Sequence, residues 1–163
     1  TGYAATMVGL PYDDLTAWRS IYPPAVFIGQ MRKVSEGFEE AVQTLRATAD
    51  PTNQELSREI DVAEACAMTF RSVANQAEFV LLRDGMASSS EVQKAAAKER
   101  LRVLLHDELD LAVRLHAIQS RDSRIGFEAS NQYQYIPIDL GEKVLNCEDL
   151  MSTVFSISSQ TVQ

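Results

Sequence analysis

The stretch Thr52-Asn-Gln-Glu-Leu-Ser-Arg-Glu-Ile-Asp-Val-Ala-Glu-Ala-Cys-Ala-Met-Thr-Phe-Arg-Ser-Val-Ala-Asn-Gln-Ala-Glu-Phe-Val-Leu-Leu-Arg-Asp84-Gly85 decides the fold. Leu56, Ile60, Ala63, Ala67, Phe70, Ala74, Ala77 and Leu81 recur at alternating spacings of four and three. That period places them along one stripe of an α-helix. Alanine at half of these positions lets a neighbouring helix approach closely. Thr52-Asn-Gln-Glu55 reads as a capping box at the start. Asp84-Gly85 reads as the stop, with Gly85 as the left-handed residue past the helix end.

The same grammar extends outward. Upstream, Pro23-Pro24 suits a first helical turn. Phe27, Met31, Val34, Phe38, Ala41 and Leu45 then form a stripe that Asp50-Pro51 ends. Downstream, Ser88-Ser-Ser-Glu91 reads as a second capping box. Its stripe runs Ala97, Leu101, Leu104, Glu108, Leu111, Leu115, Ile118. The two central helices are each roughly 30 residues, about 45 Å long. The short Gly-containing link between them makes them antiparallel neighbours. Pro137-Ile-Asp-Leu140 opens a fourth, shorter helix through Val144, Leu145 and Leu150. The fold class is all-α: an antiparallel up-down bundle of three long helices plus a shorter C-terminal one, over residues 23–151.

Two segments lie outside that pattern. Residues 1–22 carry turn chemistry at Gly2, Gly9, Pro11 and Asp13-Asp14, but also Tyr3, Leu10, Tyr12, Leu15, Trp18 and Tyr22. So many anchors mark an arm that either packs on the bundle or is made to pack on something outside this chain. Residues 152–163 are a Ser/Thr/Gln-rich tail that either frays or extends the last helix.

The connector 119–136 is longer than the 2–8 residues usual in helix bundles. It holds Arg124, Glu128, Asn131, Tyr133 and Tyr135. Arg124 and Glu128 form a pair that stiffens it. The asparagine and tyrosines put hydrogen-bonding tips on rigid bodies, which suits protein or carbohydrate surfaces. A structural lid or interface is preferred over direct ligand contact.

Composition bounds the function. The 163 residues fit one domain, with 45% apolar and 23% charged residues. A net charge of −8 with no basic stripe argues against nucleic acid as a partner. No apolar run is long enough for a membrane span, and no signal-peptide pattern appears. The chain opens Thr1-Gly2-Tyr3, which fits a mature form or a piece of a longer protein. Cys66 and Cys147 read as two structural free thiols, with a single disulfide as the alternative.

Metal chemistry is disfavoured. His106-Asp-Glu-Leu-Asp110 concentrates ligand-type residues, but a di-iron bundle needs Glu-x-x-His pairs. Val103 and Val113 stand where those glutamates would be. His116 reads as structural. Glu108 interrupts an apolar stripe; a buried carboxylate there could serve catalysis or a metal, and the plainer reading is a carboxylate solvated or paired with Arg at the bundle edge. No cofactor motif appears.

The connector, continuing into Leu140-Gly-Glu-Lys-Val-Leu-Asn-Cys147, resembles the C-terminal helical region of large bacterial glycoside-hydrolase-like proteins. In those proteins a TIM-barrel region comes first. The helical region then ends with an Arg-Ile-Gly-Phe-Glu-Ala-Ser-Asn-x-Tyr type stretch, here Arg124–Tyr133, and a Glu-Lys-Val-x-Asn-Cys helix, here Glu142–Cys147. Gly2-Tyr3 and Trp18-Arg19…Tyr22-Pro23 resemble the junction after that barrel. The match covers most of residues 1–150. It implies a non-catalytic accessory domain of a carbohydrate-active protein, periplasmic or secreted, packed on a catalytic barrel through its connector. The barrel's catalytic carboxylates have no counterpart here. The alternative is a stand-alone helical interaction or oligomerisation module.

Overall fold

The structure, a computed structural model, describes residues 14–50, 52–126 and 136–156. Helices are α1 (Leu15–Arg19), α2 (Pro24–Thr48), α3 (Gln54–Gly85), α4 (Glu91–Gln119) and α5 (Pro137–Ser156). A 3-10 turn, Met86–Ser88, joins α3 to α4. No strand occurs among the described residues. The architecture is the expected all-α antiparallel bundle. α2 packs along α3, α3 against α4, and α4 along α5.

Helix boundaries follow local chemistry, with corrections of one or two residues. α3 is capped by Asn53, whose side chain accepts from the Leu56 amide at 3.0 Å. Thr52 instead donates its hydroxyl to Asp50 at 2.7 Å. Gly85 is not left-handed: its φ is −68°, and the chain tightens directly into the 3-10 turn. The capping box of α4 is Ser90 with Gln93, not Ser88 with Glu91. Each site offers adjacent side chains able to cap, and the backbone takes the one that matches the turn before it. Part of the expected arm is helical, since Asp14 caps α1 through the Ala17 amide. The last helix extends to Ser156, into the residues read as a tail.

The central stripes are buried much as their period dictates. On α3, Ile60, Ala67, Ala74 and Ala77 are buried; on α4, Leu101, Leu104, Leu111, Leu115 and Ile118 are. α2 differs. Its buried line is Ile28, Ser35 and Val42, one heptad apart, while Val34 and Leu45 stay partly exposed. Phe38 of α2 stacks on Phe70 of α3, with ring centroids 6.2 Å apart. Ala65, Met68, Leu111, Ala112, Leu115, Ile118 and Leu140 form one apolar cluster, and Ile28, Ala74 and Ala77 form another.

Charged layers bind α2, α3 and α4 along their edges. Glu78 of α3 receives Arg32 of α2 and Arg100 of α4, the latter at 2.6 and 2.8 Å. Two heptads earlier on α3, Glu64 receives Arg46 of α2 and Arg114 of α4. Midway between them the polarity inverts: Arg71 of α3 donates to Asp107 of α4 at 2.9 Å. The paired arginines hold the Glu78 carboxyl below its ordinary range, Arg100's hydrogen bonds being the largest cause.

Candidate functional site

Of the connector residues predicted to form the site, the structure places Arg124. Its guanidinium grips Asp122, with contacts at 2.9 and 2.5 Å; the expected pairing with Glu128 lies outside the described residues. Those bonds pull the Asp122 carboxyl down to about 2 and raise Arg124 further. The pair closes the turn that follows α4, and Gly126 in that turn has φ 88°. Glu128, Asn131, Tyr133 and Tyr135 lie outside the described residues.

The most developed constellation sits instead in the bundle interior. Glu108 is 6% exposed, not solvated at an edge. Its carboxylate accepts from Ser72 Oγ at 2.8 Å and from Asn75 Nδ2 at 2.8 Å, both on α3. Lys143 Nζ of α5 lies 2.5 Å from Glu108 Oε2, the oxygen that Ser72 also reaches, and donates to Ser72 Oγ at 2.8 Å. Asn75 Nδ2 also donates to Asp107 Oδ2 at 2.7 Å. Gln76 Nε2 donates to Ser72 Oγ at 2.8 Å. A carboxylate inside a bundle is tolerated when opposite charge and hydrogen bonds replace its water, and here both are supplied.

The sequence signals for these residues were present but faint. Glu108 stands within a stripe of leucines. Ser72 and Asn75 follow Met68 at spacings of four and three. Lys143 falls between the buried Leu140 and Cys147 on the inward side of α5. Each reads alone as a ragged stripe; only the packing of three helices makes them one cluster.

The cluster forms part of the wall of a cavity of about 530 Å³. Leu15 and Trp18 of α1, Phe27 of α2, Val73, Phe79 and Val80 of α3, Leu104 and Leu105 of α4, and Cys147 and Leu150 of α5 line the rest. Burial pushes the Cys147 thiol upward in pKa, so at neutral pH it is a thiol and not a nucleophilic thiolate. Cys66 and Cys147 are both free. His106 and His116 are exposed. Among the described residues, no group of three His, Cys, Asp or Glu could hold a metal ion. No helix among them is long and apolar enough to cross a membrane.

Beside the cavity, α1 and the start of α2 form an aromatic corner. Trp18 is 42% exposed, Ile21 87%, Tyr22 56%, and Val26 is exposed next to them. Comparison with protein-family models, with curated proteins and with solved structures found nothing that matches this chain.

Proposed function

We propose that the chain is a non-catalytic helical accessory domain that packs on the catalytic barrel of a glycoside-hydrolase-like protein. The observation that carries this reading is the aromatic corner of Trp18, Ile21, Tyr22 and Val26. Exposed apolar side chains contiguous in one place mark a contact surface, whereas scattered ones do not. Interfaces between domains of one chain commonly cover roughly 600–1,500 Å² and are partly polar. The corner supplies the apolar part, and it coincides with the Trp18-Arg19…Tyr22-Pro23 stretch that resembles the barrel junction. The connector residues Glu128, Asn131, Tyr133 and Tyr135 remain candidates for the polar part. Arg124 would act by shaping the turn that leads to them.

Trp18 is the single tryptophan of the chain, so its emission reports on the corner directly. The test is to titrate the chain with the separately produced barrel region that precedes it in the parent gene. Docking gives a Trp18 emission shift and a stable complex on gel filtration, both lost in Trp18→Ala/Tyr22→Ala. A folded chain that does not associate, or that hydrolyses aryl-glycosides by itself, overturns the reading.

A second reading, a self-associating module, draws on α5. Ile138 and Leu145 lie one heptad apart and both are largely exposed. A concentration-dependent dimer, dissolved by Leu145→Glu in sedimentation experiments, would favour it.

A further inference from the structure

The cavity between α1 and the four long helices has features that neither docking nor bundle stability requires. Its size falls within the range of roughly 300–1,000 Å³ of small-molecule sites. Its walls are aliphatic and aromatic, and its polar groups are gathered at Asn75, Gln76, Glu108 and Lys143. Two apolar residues in place of a buried ion pair would hold three helices together as well or better. The pair at this wall therefore gives the cavity a polar end that packing alone does not call for.

We propose that this cavity binds a small neutral amphiphile, an aliphatic or aromatic body with one hydroxyl or amide head. The body fits walls such as Phe27, Val80 and Leu104. A sugar would not fit, because its many hydroxyls would face those walls without partners. The head is neutral because the polar end is already balanced. Glu108 and Lys143 neutralise each other at 2.5 Å. An anionic head would have to take Lys143 from Glu108, and a cationic head would have to take Glu108 from Lys143. Either exchange breaks the buried Glu108–Lys143 ion pair. A hydroxyl or amide can share the wall's hydrogen bonds while leaving the pair intact.

The test uses the purified chain, the apolar dye Nile red, and three ten-carbon competitors: decanol, decanoate and decylamine. One Nile red binds per chain with a blue-shifted emission, and decanol displaces it at least about tenfold more tightly than either charged competitor. Val73→Phe and Val80→Phe each push a ring into the cavity from walls that are not fully buried. Both keep a cooperative melt, and each weakens Nile red about tenfold or more. Saturating decanol also slows alkylation of Cys147, which lines the same space, and leaves Cys66 unaffected. Failure of Nile red to bind, binding unchanged in both variants, or charged competitors matching decanol overturns the proposal. None of these outcomes depends on a barrel domain, so this site and the docking corner stand or fall separately.

Discussion

Lys143 Nζ on α5 and Glu108 Oε2 on α4 lie 2.5 Å apart inside the bundle, and Ser72 of α3 bonds to both. The pair thus links the last helix to the two central ones through charge rather than through apolar area. Removing one member leaves the other charge buried, which commonly costs about 3–5 kcal/mol.

The expected consequence is strong coupling. Lys143→Met should lose about 3 kcal/mol, the lower end of that range, because Lys143 keeps 18% of its side chain exposed. Glu108→Gln/Lys143→Met should lose less than Lys143→Met alone, since no unpaired charge remains. A double-mutant cycle by urea denaturation measures this. Strictly additive losses would mean that the two groups do not act together.

Ser90, rather than Ser88, holds the start of α4. Ser90→Ala should cost about 0.5–2 kcal/mol by removing the cap on the Gln93 amide. Ser88→Ala should stay within about 0.5 kcal/mol, because the Ser88 hydroxyl donates to the Gly85 carbonyl and caps no amide of α4. Thermal melts of the two variants decide between the positions; a larger loss at Ser88 would put the cap back where the Ser-x-x-Glu pattern suggests.

Asp122 should titrate with a midpoint of about 2 in a carboxyl-detected NMR experiment. The folded value lies below the ordinary one of 3.8, so the Arg124 bond stabilises the turn above that value. That stabilisation fades as the pH falls through about 2. Arg124→Ala should return the midpoint toward the ordinary aspartate range. An unmoved midpoint would show that the guanidinium is not what holds the carboxyl down.

The helices were legible because each stripe is long, and a period sustained over many residues leaves little alternative. Asp50-Pro51 and Pro137 mark their boundaries for a steric reason that no packing can override. The caps were less legible: Thr52 beside Asn53, and Ser88, Ser89 and Ser90 in a row, offer near-equivalent oxygens. The polar cluster was hidden for another reason. Ser72, Asn75, Glu108 and Lys143 lie on three helices, and sequence spacing says nothing about which turns of separate helices meet. Glu108 was visible as an interruption, but a carboxylate among leucines reads as solvated until its partners are known.

The alternating charge layers have one more consequence. Apolar stripes of leucine and alanine pack almost equally well if a helix slides by a heptad. The charges do not. Moved one heptad toward its C-terminus along α3, α4 would set Asp107 against Glu78 and Arg114 against Arg71. Moved the other way, it would set Asp107 against Glu64 and Arg100 against Arg71. Because Arg71 and Asp107 reverse the sign midway between the two glutamate layers, either misalignment opposes like charges. The edge residues act as a vernier: they add little holding strength, but they leave the three helices a single alignment in which every mark matches.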